Sequence, residues 1–317
     1  MSTSPHASFD LAALVAKYNL KEDEQELLKS LTIDESQQEC IANYDQRTLE
    51  WKAARVNRLT ASKFGAARGH CEYTNRTRLL TDLLWSENFP EGNIAMKWGV
   101  DHEAEAVNVY TNFMRKQKKL NDQQFRVTHS GLLVSIQHPW IGVSVDAFVF
   151  DDSEPDAARK KGGAEIKCPY GKKLYPFIPS MYYDQIQGSM GFLHRPWWDF
   201  VVWTPSQTQV RRYNFDQKYF DTELFPRLQD FYMTVFLPRA VLKKKGLLQP
   251  GRIDPVMQIT VELDSFEDLV SEEKSSSAEK SEGIPCISAP PMMRECSNLP
   301  QFHGADKQRI GLGCLLR

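Results

Sequence analysis

The stretch GAEIKCPYGKK at 163–173 sets an acid two residues before a lysine, Glu165 and Lys167, and the stretch WIGVSVDAFVF at 140–150 carries Asp146 amid apolar residues. Both read as strands, in which side chains alternate between faces. Ser144 and Asp146 then share one face while Val143, Val145 and Ala147 take the other. Glu165 and Lys167 share a face likewise, with Ile166 turned into the core. If the two strands are neighbours, Asp146, Glu165 and Lys167 converge. Two close carboxylates raise one another's pKa unless a cation lies between them, and hard oxygen donors suit Mg²⁺ or Mn²⁺. A bound divalent ion activates water and offsets charge on a phosphate, and an adjacent lysine orients the water, which is the chemistry of phosphodiester hydrolysis. The competing reading is a surface ion pair plus an aspartate at a strand end. The pattern itself is cheap, because the chain holds three more acid-x-lysine pairs, Glu50/Lys52, Asp216/Lys218 and Glu272/Lys274.

Positioning such a set requires a sheet, and the chain between 45 and 236 alternates in type. Helical spacing is expected over 45–57, 60–68, with Thr60 and Ser62 near the start, 74–87 and a long 97–118. Strands follow at 127–135, 140–150 and 164–169, then a helix over about 180–194, strands at 199–204 and 209–215 around the turn Pro205-Ser-Gln-Thr, and a last helix over 217–236. This order predicts an α/β fold with one central mixed sheet of five strands flanked by helices. Residues 1–44 read as accessory helices, 45–262 as the principal domain, and 263–317, rich in Ser, Glu and Pro, as an acidic, mostly disordered tail.

At 317 residues, 41% hydrophobic and 25% charged, the chain can bury a sizeable core. It has no run of about 18 apolar residues to span a bilayer, and its N-terminus lacks the basic start and apolar stretch of a secretory signal, so no membrane and an intracellular home are expected. The net charge of -2 hides an uneven distribution. Residues 46–262 are basic by about seven charges between two acidic flanks, which suits a polyanionic partner. The six cysteines lack zinc-site spacing and read as reduced thiols, Cys168 among them as a small buried side chain. Trp197, Trp198 and Trp203 read as packing before base stacking. His102 reads as a helix-surface residue, and Lys243 to Lys245 as a solvated patch.

The words around the acidic pair are more specific than the pair. Asp on one strand with Glu-x-Lys on the next resembles the PD-(D/E)XK nuclease signature. Ser144-Val-Asp146 followed by Gly163-Ala-Glu165-Ile-Lys167-Cys168-Pro169 is similar to its lambda phage exonuclease and YqaJ-like viral recombinase branch. Three distant words agree: Trp51-Lys-Ala-Ala-Arg55 with Thr60-Ala-Ser62, Trp98-Gly-Val-Asp-His-Glu103, and Tyr182-Tyr-Asp-Gln185-Ile-Gln187. Two features depart from the family pattern. Val145 stands where the Pro of the fold's name would be, and the 151–163 connection is longer, an acidic-then-basic hairpin loop with Arg159, Lys160 and Lys161 facing DNA or a partner.

The resemblance implies a restriction-endonuclease-like fold and a Mg²⁺- or Mn²⁺-dependent DNA exonuclease, working 5′ to 3′ on linear duplex DNA in recombination or repair. It implies that Asp146, Glu165 and the carbonyl of Ile166 bind the metal ion with Glu103 in support, and that Lys167 orients water with help from Gln185. Arg55, Ser62 and Ser144 would anchor the substrate phosphate. Double-stranded DNA ends are the implied partner, and a single-strand annealing protein or further copies of the chain are compatible with the family. The rival readings are a structure-selective endonuclease of the same fold and a catalytically inactive DNA-binding module.

Overall fold

The computed structural model describes residues 8–85, 92–171 and 173–250, and the backbone of Ile287–Ser288. Its principal sheet runs β2 (Phe125–Thr128), β5 (Ala147–Asp151), β6 (Lys161–Lys167), β7 (Trp197–Thr204), β8 (Gln207–Asn214) and β9 (Ile287–Ser288) in spatial order. Only β6 and β7 are parallel neighbours; the remaining pairs are antiparallel. The fold is thus the expected mixed α/β arrangement, its five strands extended at one edge by the two residues of β9. That short strand is all that is described of 251–317, so the tail expectation lies outside the described residues.

Two expected strands are divided. The segments 127–135 and 140–150 each contribute to two sheets, because β3 (Leu132–Val134) and β4 (Ile141–Ser144) form a separate three-stranded sheet with β1 (Leu59–Thr60). Breaking both strands frees backbone carbonyls that need donors. One side chain serves both breaks: Gln46 Nε2 donates to the carbonyls of Ser130 and Val145, each at 3.0 Å. Asp146 therefore sits in a bend between β4 and β5, and not mid-strand on a shared face with Ser144 as the alternation predicts.

The sheet carries an apolar core on each face. On one, Ala106, Val107, Tyr110 and Met114 of α7 (Ile94–Lys118) pack on Ala147, Val149, Ala164, Ile166 and Val201. The other face joins Phe148 and Trp198 to Phe64, Ile186 and Met190, and this cluster continues to Leu14, Leu27 and Leu28 of the N-terminal helices α1 (Leu11–Tyr18) and α2 (Glu22–Ser30). Phe64 belongs to α5 (Phe64–Arg68), and Ile186 and Met190 to α8 (Ser180–Leu193). A continuous helical run from Gln217 to Lys244 closes this layer. The glycine pair in β6 has a steric cause: a Cβ on Gly162 or Gly163 would lie 2.4 Å from the ring of Trp197 or Trp198.

Candidate active site

The register of β5 against β6 pairs Ala147 with Ala164. Continued by one step, it sets Asp146 opposite Glu165, on the face that α8 covers. The connection is direct: the Ile166 N–H donates to Asp146 Oδ2 at 2.7 Å. Glu165 is 2% exposed, and its Oε1 accepts from Lys167 Nζ at 2.5 Å and from Gln185 Nε2 at 2.7 Å. Lys167 Nζ also lies 4.7 Å from the centre of the Tyr182 ring, so one turn of α8 supplies both an amide and an aromatic face to the cluster. Burial, then the Glu165 charge and the more distant Glu103, push the Asp146 carboxyl well above the usual range against the pull of Lys167 and the Ile166 N–H. Burial alone would lower the Lys167 ammonium, but Glu165 and Asp146 outweigh it and raise its pKa.

Glu103 comes from α7 on the far face of the sheet. It is fixed by Arg47, whose Nη2 donates to Glu103 Oε2 at 2.8 Å, and its charge is felt at Asp146 and at Cys168. The cluster thus gathers Asp146, Glu165, Lys167, Gln185 and the Ile166 backbone closely, with Glu103 at its margin.

The second half of the site is a part-buried arginine, Arg55. Thr48 caps α4 (Leu49–Arg55) by accepting from the Trp51 N–H at 3.3 Å, and Asn57, at φ 58°, turns the chain out of the helix. Trp51 and Arg55 are four apart and stack, the guanidinium 4.1 Å from the ring centre. The parallel pairing of β1 with β4 brings this helix end beside Ser144. Arg55 Nη1 donates to Ser144 Oγ at 3.2 Å and Nη2 to Thr60 Oγ1 at 2.9 Å, while Trp51 Nε1 also donates to Ser144 Oγ at 3.2 Å. Among the described residues no carboxylate pairs with Arg55, and burial pushes its pKa down to about 10, so it remains charged at neutral pH. A part-buried guanidinium with neutral partners is poised for an anion. Ser62 lies exposed in the 3-10 turn Ala61–Lys63, two residues past Thr60 and outside the hydrogen-bonded group.

Other expectations divide. Trp197, Trp198 and Trp203 are buried, as packing requires. His102 is not a plain surface residue, because it stacks on Trp98 with ring centres 3.7 Å apart. In the 151–163 connection two of the cations pair at the surface: Arg159 reaches Glu154 at 3.7 Å and Asn214 Oδ1 at 3.0 Å, and Lys160 reaches Asp152 at 3.9 Å. The Cys168 thiol is pushed up to about 12, by burial first, which suits an unreactive packing residue. The patch at Lys243 to Lys245 is partly engaged, with Lys243 donating to the Leu84 carbonyl and Lys245 paired with Asp23. Three contributors escaped the sequence reading. In the sequence Tyr182, Trp51 and Thr60 stand only as parts of longer words, without a role of their own. Their spacing, Trp51 to Arg55 and Tyr182 to Gln185 on one helix face, was the available signal.

No group of three or more His, Cys, Asp and Glu side chains among the described residues is gathered to enclose a metal ion. The residues present still fit a hard divalent cation. Asp146 and Glu165 offer carboxylate oxygens and the Ile166 carbonyl a third donor, and a cation between the two carboxylates would offset both the burial and the mutual repulsion that push the Asp146 carboxyl up. Mg²⁺ keeps several waters in just such partial donor sets.

Residues 50–192 match the family profile described as the YqaJ-like viral recombinase domain. The matched span holds Trp51, Arg55, Glu103, Asp146, Glu165, Lys167 and Gln185. Among solved structures, the chain is similar to an alkaline exonuclease (LHK-Exo) from Laribacter hongkongensis, at 25% identity over 63% of this chain and 98% of that one, with a TM-score of 0.46. The same protein in complex with dAMP gives 24% identity over the same shares and a TM-score of 0.47. A phage-related exonuclease from Haemophilus somnus 129PT gives 15% identity over 57% and 96% of the two chains, with a TM-score of 0.39. No curated protein matches the chain. No helix among the described residues is long and apolar enough to cross a membrane.

Proposed function

We propose that this protein is a divalent-metal-dependent DNA exonuclease that degrades linear duplex DNA from 5′-phosphorylated ends, in recombination or repair. The observation that carries the reading is the pairing of two unlike sites: Asp146 and Glu165 set together beside Lys167, and a part-buried Arg55 that meets no carboxylate among the described residues, joined through the Ser144-Val145-Asp146 segment. Asp146, Glu165 and the Ile166 carbonyl would hold Mg²⁺ or Mn²⁺, with Glu103 nearby. The ion, when bound, lowers the pKa of water and offsets charge on the phosphate. Lys167 Nζ, held between Glu165 and the Tyr182 ring, donates a hydrogen bond to the attacking water or a phosphate oxygen. Gln185 fixes Glu165 as an acceptor without adding charge. Arg55, with the Thr60, Ser144 and Ser62 hydroxyls, receives the terminal phosphate as a planar donor fork.

Arg55 favours an enzyme of ends over an endonuclease, because a pocket for a monoester phosphate has little use in the middle of a strand. Incubating end-labelled duplexes with Mg²⁺ tests this. A 5′-phosphorylated duplex should be degraded faster than a 5′-hydroxyl one, and a covalently closed circle should be left intact. Efficient nicking of the circle would favour the endonuclease reading instead. The domain boundaries proposed from the sequence remain our reading, although α1 and α2 share a hydrophobic cluster with the sheet.

A further inference from the structure

Three residues beyond Lys167 the chain presents Tyr170, 48% exposed. A lone exposed aromatic is ordinary. This one has a backing. Its ring meets Trp98 edge-on, with centres 6.0 Å apart and planes at 76°. Trp98 in turn stacks on His102 at 3.7 Å, and His102 leans on Trp203, itself 4% exposed, at 5.4 Å. His102 is held in place by the pairing of Nδ1 with the Trp98 carbonyl at 2.9 Å. The rings thus form a tier that rises from the buried β7 strand, crosses two turns of α7 and ends at Tyr170 in solvent. His102 directly precedes Glu103, whose charge reaches Asp146 and Cys168, and Tyr170 follows Cys168 by two residues, so the tier borders the acidic cluster.

An aromatic face that is rigid from behind, open in front and adjacent to a phosphate-binding centre suits one ligand chemistry, a nucleobase. Every base has a π-face, so stacking recognises it without regard to sequence. We propose that Tyr170 caps this tier and stacks a nucleobase of the strand being hydrolysed, next to the scissile phosphate. The proposal rests on the nuclease reading and adds to it a base-binding subsite outside the carboxylates, lysine and arginine.

The test uses a 5′-phosphorylated duplex with the fluorescent base 2-aminopurine placed in turn at each of the terminal nucleotides, and Ca²⁺ in place of Mg²⁺ to slow hydrolysis. Binding by the unchanged protein should quench the base at one of these positions, and Tyr170→Trp should preserve the quench. Tyr170→Ala should abolish it and weaken binding of the end about tenfold, the scale of one stacked base. On a duplex abasic at that position, the unchanged and Tyr170→Ala proteins should bind equally. A quench that persists in Tyr170→Ala, or an equal loss on the abasic duplex, overturns the subsite while leaving the nuclease reading in place. Failure of the unchanged protein to bind any duplex end overturns both.

Discussion

The molecule contains two buried charge clusters on the same sheet, and they are built to opposite ends. Around Asp199 the cluster is closed. Arg212 Nε and Nη2 donate to the two oxygens of Asp199 at 2.8 and 3.0 Å, its Nη1 reaches Glu154 at 2.6 Å, and Tyr110 donates to Asp199 at 2.7 Å. The Arg212 guanidinium also stacks on Trp197 at 3.5 Å, and Lys118 closes on Asp151. Around Asp146 the cluster is open. Asp146 and Glu165 share the single ammonium of Lys167, Glu103 at the margin is held by Arg47, and among the described residues the guanidinium of Arg55 has only neutral oxygens. Closure of the first ties α7, β5, β7 and β8 into a rigid frame. The mismatch in the second is energy held ready for a cation on one side and an anion on the other.

That contrast can be broken by substitution. The largest effect belongs to the open cluster: Lys167→Ala should lower hydrolysis of end-labelled duplex DNA by roughly 10²- to 10⁴-fold, measured on folded protein. A protein as active as the unchanged one would refute the role of Lys167. Next, Arg212→Met strands Asp199 in the interior and should lower stability by about 3–5 kcal/mol, seen as a shift in the denaturant midpoint at constant slope. Arg55→Gln inverts that outcome. It strands no carboxylate, so its stability cost should be well below that of Arg212→Met, but it should erase the preference for a 5′-phosphate, worth about 1.5–3 kcal/mol, in the ratio of kcat/KM for phosphorylated and hydroxyl ends. The smallest effect concerns pH. Burial pushes the Asp151 carboxyl up, but hydrogen bonds from Lys118 and Ser153 outweigh it and hold it below its ordinary range. A depressed acid stabilises the fold above its unfolded pKa of about 3.9, and that stability is lost as pH falls through the folded value. Asp151→Asn should therefore be less stable at neutral pH and show a flatter loss below about pH 4, read by urea midpoints across pH.

The open cluster was far more legible than the closed one, for a physical reason. Glu165 and Lys167 lie two apart on one strand, Trp51 and Arg55 four apart on one helix, and Tyr182 and Gln185 three apart on another, so local geometry alone pairs them. Arg212, Asp199, Tyr110 and Lys118 are scattered over three elements, and nothing in their spacing announces that they meet. The reading of Asp146 shows the limit from the other side. Alternation placed it mid-strand beside Ser144, yet Gln46, a residue remote in sequence, caps both strand breaks and turns Asp146 into a bend. The surface pairing of Arg159 with Glu154 and of Lys160 with Asp152 is equally hidden, because whether a surface cation meets a neighbouring acid depends on the loop's path.

By itself the sequence determined the element order, the mixed sheet and the identity of the charged groups, because periodicity and short-range spacing are properties of a single segment. The tertiary structure alone decided which of those groups stay unbalanced. Asp146 shares one ammonium with Glu165 because β5 sets the two acids opposite each other, and Arg55 lacks a carboxylate among the described residues because β1 docks beside β4, where hydroxyls wait. Arg212, no less charged, is silenced by Asp199 on the neighbouring strand. Charge balance in a protein interior is a sum over neighbours in space, and no spacing along the chain contains it.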